Sequence, residues 1–62
     1  MLSDREMEVL KLMTQGLNNK EIAEKMTLST HTVKAHICSI FQKLNVTGRV
    51  QAAVRAIQLG LI

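Results

Sequence analysis

Three short stretches of this 62-residue chain share a pattern that is typical of the start of an α-helix. In LSDREM and LNNKEI, a cap residue (Ser3 or Asn18) is followed three positions later by Glu, and an apolar residue precedes it. The cap side chain accepts a hydrogen bond from a free helix amide, and the glutamate accepts one from the cap amide. LSTHTV repeats the apolar residue and the cap, Ser29. Helices are therefore predicted to start after Ser3, Asn18 and Ser29.

Glycine and asparagine mark the predicted helix ends. Gly16 and Asn45 tolerate the left-handed conformation that ends many helices, and Gly60 ends the last one. The predicted helices span about 4–15, 19–26, 30–44 and 48–59. No segment has the alternating pattern of a strand. The sequence therefore predicts an all-α fold, a compact four-helix domain over residues 1–62.

The second and third predicted helices are separated by only three or so residues, and the third is the longer. Its apolar side chains are spaced as one buried stripe: Val33, Ile37, Ile40, Phe41 and Leu44. This is the form of a helix-turn-helix, although many helical hairpins of this kind bind no DNA. The spacing alone leaves DNA binding and a purely structural hairpin as equal alternatives.

The opposite face of the third helix is polar and carries no acidic residue. At about 100° per residue, one face collects His31, Lys34, Ala35, Cys38 and Gln42. Lys34 offers hydrogen-bond donors, and the small Ala35 would allow close approach to base edges in a major groove. An ordinary solvated face usually includes glutamates. The composition of this face therefore favours duplex DNA over water alone.

Charge is distributed unevenly along the chain. The net charge is +3, and all five acidic residues lie within the first 24 positions. This asymmetry indicates either a polyanionic partner or a solvated basic face. Lys20 and Arg49 each fall in the first turn of a helix, where an anion would offset their repulsion by the helix dipole. A DNA phosphate is expected at Lys20; for Arg49 a carboxylate of the first helix is an equal alternative, and a structural role is preferred.

The fourth predicted helix has more apolar surface than one core contact requires. Only Gln51, Arg55 and Gln58 form a polar stripe, which leaves about 220° of apolar face. Part of this face, around Val54, is therefore expected to form a two-fold dimer contact. The residues expected in this contact are Val50, Ala53, Val54 and Ile57.

Other functions are disfavoured. The single cysteine excludes an intrachain disulfide, and His31, His36 and Cys38 are badly spaced for a metal. No nucleophile has a recognisable base, and the one aromatic residue cannot form a stacking platform for single strands. No leader or membrane span is recognisable. We therefore expect a cytoplasmic protein that is not an enzyme, uses no cofactor and does not enter a membrane.

The sequence resembles the LuxR-type DNA-binding domain of NarL/FixJ response regulators and related activators. Five segments carry the resemblance in the family's order and spacing: LSDREMEVLKLMTQG, NKEIAEKMTLS, TVKAH, IFQKLNV and RVQAAVRAIQLGLI. The resemblance implies sequence-specific duplex binding by the third helix and dimerisation through the fourth. Asn45 stands where a glycine is commoner, which is harmless at a helix end. Cys38 stands at a position that varies with the target sequence.

The family's functional positions map onto the third helix and the start of the second. Base readout is expected at Lys34, Ala35 and Cys38, with His31 beside them, and backbone contact at Lys20, Thr30, Thr32 and His36. Family members usually carry a covalently linked regulatory domain, such as a phosphorylated receiver. The interpretation preferred here is an excised output domain of a two-component response regulator, and a free-standing regulator is the alternative. A rival function is a helical protein-interaction module whose basic face meets an acidic protein.

Overall fold

The computed structural model describes residues 1–62 and contains four α-helices and no strand. The helices are α1 (Asp4–Thr14), α2 (Asn19–Met26), α3 (Thr30–Leu44) and α4 (Arg49–Gln58). The predicted all-α, four-helix architecture is thus confirmed. The α2–α3 pair, joined by three residues, is the helix-turn-helix unit.

Each predicted cap residue forms its hydrogen bond. The Ser3 hydroxyl accepts from the Glu6 amide at 3.1 Å, and the Glu6 carboxylate accepts from the Ser3 amide at 2.9 Å. Asn18 and Glu21 form the same reciprocal pair at 2.9 and 2.8 Å. At α3 the Ser29 hydroxyl accepts from the Thr32 amide at 3.0 Å. These bonds satisfy helix amides that would otherwise lack a partner.

All four helices end in the same way, although only three of these ends were expected. One or two positions after each helix end a residue adopts a positive φ, and the amide of the residue that follows it donates to the carbonyl five residues earlier in the chain. The four positive-φ residues are Gly16, Thr27, Asn45 and Gly60. Thr27 was not predicted here, because a β-branched side chain disfavours this conformation. The short turn imposes it: Leu28, which follows, donates to the Ala23 carbonyl at 2.9 Å and packs on the core.

One apolar cluster holds the helices together, and α3 packs against each of the other three. The buried cluster contains Val9, Leu10, Met13, Ile22, Ala23, Met26, Val33, Ile37, Ile40, Leu44, Ala52 and Ala56. Phe41, predicted within the stripe of α3, is only partly buried and packs against this cluster. From α4 only the two alanines are fully buried. The core therefore leaves both the polar face of α3 and much of α4 uncovered.

Glu6 is the one buried charged residue, with 5% of its surface exposed. Its carboxylate accepts hydrogen bonds from the Lys43 ammonium at 2.8 Å and from the Ser39 hydroxyl, in addition to the Ser3 amide. These bonds, led by that from Lys43, lower the pKa of Glu6 to about 2. Because the folded pKa lies below the ordinary 4.5, the carboxylate stabilises the fold above that pH. This stability is lost as the pH falls towards 2.

Candidate nucleic-acid interface

The residues predicted to read bases lie together on the outer face of α3. His31, Lys34, Ala35 and Cys38 are all exposed, and Gln42 continues the row towards the end of the helix. The apolar stripe of α3 lies on the other side and is held in the core. An exposed helix face that begins at the helix start has the shape that enters a major groove. The structure therefore brings the four predicted base-reading residues onto one accessible surface.

The residues predicted to contact the DNA backbone are more varied in their surroundings. Lys20 and Thr30 are exposed, in the first turns of α2 and α3. Thr32 and His36 are partly buried on one flank of α3, and the Thr32 hydroxyl accepts from the Ser29 hydroxyl at 2.9 Å. Lys20 and Thr30 are therefore the freest of the four to reach a phosphate.

Arg49 does not bind a carboxylate of the first helix, so that alternative is wrong. Its guanidinium donates to the Leu17 carbonyl at 3.4 Å and to the side-chain oxygen of Asn19. Asn19 is the first residue of α2, beside Lys20, and Leu17 lies two positions before it. Arg49 thus joins the start of α4 to the segment that carries Lys20, which agrees with the structural role preferred for it.

The ends of the helices differ in charge. α1 has Asp4 and Glu6 in its first turn and α2 has Glu21, whereas α3 has no acidic residue there. At the position of the capping glutamate, α3 carries Thr32 instead. No carboxylate of the first turn therefore offsets the positive end of the α3 dipole, and the amides there are suited to an approaching anion.

The outer face of α4 is apolar and uncovered. Val50 is 78% exposed, Ile57 65% and Val54 48%, whereas Ala53 at the edge of this face is partly buried. The α4 residues that are fully buried are the small Ala52 and Ala56. The larger apolar side chains of α4 therefore point away from the chain's own core, which is the arrangement of a helix that packs against a partner.

Two sets of long-range hydrogen bonds to α3 were not predicted from the sequence. Ser39 and Lys43 hold the Glu6 carboxylate, and the Arg55 guanidinium donates to the Leu44 carbonyl at the end of α3, at 2.8 Å. The pair Ser39 and Lys43, one helical turn apart, was a usable signal for a shared partner. Nothing in the sequence pointed to Glu6 as that partner, because its capping role already explained it.

No group of three or more His, Cys, Asp or Glu side chains is placed to hold a metal ion. None of the four helices combines the length and the apolar character that crossing a membrane requires.

Known proteins share both the sequence and the fold. The family model described as "Bacterial regulatory proteins, luxR family" matches residues 1–56. The transcriptional regulatory protein LnrK of Bacillus subtilis (strain 168) is 48% identical over 60 residues, which cover 97% of this chain and 27% of LnrK. This chain therefore spans little more than a quarter of the length of that relative.

Two solved structures superpose closely on the four helices. The crystal structure of the response regulator ChrA, from a heme-sensing two-component system, matches all of this chain and 31% of ChrA, with a TM-score of 0.97 and 44% identity. The structure of the transcription factor GerE matches 97% of this chain and 90% of the GerE chain, with a TM-score of 0.90 and 37% identity. The chain belongs to the LuxR family of bacterial regulatory proteins, a non-enzymatic family, and is a helix-turn-helix DNA-binding domain of that family.

Proposed function

We propose that this domain binds duplex DNA sequence-specifically by inserting α3 into the major groove. The observation that carries the proposal is the exposed row His31, Lys34, Ala35 and Cys38 on a helix face without acidic residues. An acid at such a position would repel the phosphates on both sides of the groove. The row also starts in the first turn of α3, the part of a recognition helix that reaches base edges.

We assign different roles in DNA binding to Lys34 on α3 and Lys20 on α2. Lys34 lies one turn into α3, where its ammonium reaches the acceptor edge of a guanine. Ala35 beside it is small enough to let the helix sit deep in the groove. Lys20, at the start of α2, meets a phosphate, as does the exposed Thr30. His36 and Thr32 contact the backbone from the flank of α3.

The domain acts on DNA as a homodimer. The exposed side chains of Val50, Val54 and Ile57, with Ala53 at their edge, form the two-fold contact. Symmetry then places two copies of α3 in successive major grooves, about 34 Å apart, so that the target is a palindrome or near-palindrome. Sedimentation of the complex at saturation tests this: two protein chains per palindromic duplex are expected, and one chain per duplex contradicts the dimer.

The domain serves as the output part of a cytoplasmic transcription regulator, within a two-component response regulator. LnrK and ChrA are each more than three times as long as the matched region, which supports a covalently linked regulatory domain. In the solved GerE chain, by contrast, a domain of this fold forms 90% of the length, which keeps the free-standing regulator as the alternative. A phosphorylatable receiver in the same polypeptide is the expected partner.

A salt titration tests DNA binding against the rival role of a protein-interaction module. Affinity for a random-sequence duplex is measured by gel shift at several salt concentrations. A domain that neutralises phosphates releases counterions, so affinity must fall steeply, with a slope of about −0.9 per phosphate on a log-log plot. Binding that is absent, or that does not change with salt, overturns the proposed function and favours an acidic protein partner.

A further inference from the structure

We propose that Glu6 is a positioning residue for DNA recognition, which fixes the rotation of α3 about its own axis through Ser39 and Lys43. The inference rests on the proposed function and adds a residue remote from the DNA to the determinants of specificity. The exposed row His31, Lys34, Ala35 and Cys38 is the proposed recognition face of α3. Glu6 lies on another helix, α1, and is buried away from this face.

Glu6 contacts α3 on the flank that lies between its exposed polar face and its buried apolar stripe. Viewed down the helix, Ser39 and Lys43 lie about 140° and 180° from Lys34. The buried residues of the α3 stripe lie about 240° to 300° from it: Val33, Ile37, Ile40 and Leu44. One carboxylate oxygen accepts from Lys43 at 2.8 Å and the other from Ser39. The two partners are one turn apart, so the carboxylate contacts α3 at two successive turns.

Apolar packing restrains this rotation without directional bonds. Contacts between the α3 stripe and the other helices depend on buried area and have little directional preference. Hydrogen bonds weaken steeply when their angle or length changes. A rotation of about 20° displaces an atom about 6 Å from the helix axis by about 2 Å, enough to break a contact between a side chain and a base. The hydrogen bonds from Ser39 and Lys43 to the Glu6 carboxylate form a clamp on the flank of α3. This clamp adds the directional restraint that base readout requires.

Glu6 is a buried and charged acceptor for these bonds. The carboxylate is buried and carries three hydrogen bonds, and its pKa of about 2 keeps it ionised throughout the neutral range. Ionised acceptors form stronger hydrogen bonds than neutral ones. Glu6 is also the only acidic side chain that bonds to α3.

Two substitutions weaken the clamp while leaving the rest of the chain in place. Glu6→Gln keeps the size of the side chain and can still accept from the Ser3 amide, since glutamine also serves in a capping box. Ser39→Ala removes one of the two bonds to α3 and places a better helix former there. Ser3→Ala is the matched control: it removes the hydroxyl that caps α1, but leaves the bonds from Glu6 to Ser39 and Lys43 intact.

The readout is the ratio of affinities for two duplexes: one selected by the parent protein from a random pool, and a scrambled duplex of equal composition. Each variant is measured at a temperature where circular dichroism shows it folded. Glu6→Gln and Ser39→Ala are expected to lower this ratio about tenfold, through weaker binding to the selected duplex, as for the loss of one base contact. Ser3→Ala is expected to melt at a lower temperature with an unchanged ratio.

A purely structural role for Glu6 would lower the melting temperature but leave the ratio unchanged in both clamp variants, and that result overturns the inference. If Glu6→Gln does not fold, Ser39→Ala decides alone. A parent protein that binds DNA but selects no sequence overturns the inference and leaves DNA binding standing. A parent that binds neither duplex overturns the proposed function itself.

Discussion

The first two helices and the last two differ in how the free amides at their starts are satisfied. In α1 and α2, each cap amide is bonded to a glutamate of the same helix. In α3 and α4 no acid is present in the first turn, and Gly48 at the start of α4 offers no side-chain cap at all. Residues 1–26 contain all five acids beside four basic residues, whereas residues 27–62 contain four basic residues and no acid.

This difference indicates that residues 1–26 and residues 27–62 have different roles in the domain. In the first half, the amides at the helix starts are bonded to side chains of the same helix. The first half also supplies the Glu6 carboxylate, which is bonded to α3. The second half has no acidic residue at the positive end of α3 and exposes the larger apolar side chains of α4. The division therefore concerns polar groups and exposed surfaces: the carboxylates that satisfy helix amides lie in the first half, and most of the surface proposed to bind partners lies in the second.

The largest expected effect comes from placing an acid on the recognition face. Ala35→Glu brings a carboxylate close to the DNA phosphates, and like charges at an interface cost several kcal/mol. We expect DNA affinity to fall at least a hundredfold, about 3 kcal/mol. Because Ala35 is exposed, the free energy of unfolding should change by no more than about 0.5 kcal/mol. Gel shift and thermal melts measure the two quantities.

Gln15→Glu is the matched control for Ala35→Glu. It changes the net charge by the same amount, at an exposed position that ends α1. We expect a small effect on affinity that disappears at higher salt. Equal losses of affinity in the two variants would show that net charge, and not the α3 face, governs binding.

The next largest effect separates base readout from phosphate contact. Lys34→Ala is expected to cost about 1 to 3 kcal/mol on the selected duplex and to relax the preference at one base pair. Lys20→Ala is expected to weaken binding equally on the selected and scrambled duplexes, with a salt slope smaller by about one unit. If Lys34→Ala binds both duplexes as well as the parent does, this face of α3 lies outside the DNA interface.

Loss of a helix cap is expected to have a smaller effect, on stability alone for α1. Replacing Ser3, Asn18 or Ser29 by alanine removes the hydroxyl or amide oxygen that accepts from a helix amide, at a cost of about 1 kcal/mol each. In a domain of this size that loss is visible as a lower melting temperature. Three unchanged melting temperatures would contradict the helix starts described above.

The smallest expected effect is a gain of stability at the turn between α2 and α3. Thr27 is exposed and has a φ of 57°, which is strained for a β-branched residue. Thr27→Asn fits the left-handed conformation better and should stabilise the fold by up to about 1 kcal/mol. Asn45→Thr, at the equivalent turn after α3, should lose a similar amount. A pair of melts that both move in the same direction would refute backbone strain at Thr27.

The features that could be predicted from the sequence are those that depend on neighbouring residues. The caps at Ser3, Asn18 and Ser29 involve residues three positions apart, and the stripe and exposed face of α3 repeat every three or four positions, so spacing alone locates them. The positive φ of Thr27 was missed because residue preference disfavours it, and the tertiary packing of Leu28 prevails over that preference. The same arrangement occurs at Gly16, Asn45 and Gly60, each of which also precedes an apolar residue that packs on the core.

The features that could not be predicted join distant parts of the chain. The bonds of Glu6 to Ser39 and Lys43 span 33 and 37 residues, and the bond of Arg49 to Asn19 spans 30. Each depends on the relative rotation of two packed helices, which helical periodicity does not specify. This is why the exposed face of α3 was predictable, whereas the bonds that join α3 to distant helices were not.

Amide chemical shifts during a titration with the selected duplex test the division between the two halves most directly. We expect the largest changes along the recognition face, at His31, Lys34, Ala35 and Cys38, and at the start of α2 around Lys20. The exposed outer residues of α1, Asp4, Glu8 and Lys11, should change little. Large changes on the outer side of α1, with α3 unaffected, would contradict the assignment of DNA recognition to the third helix.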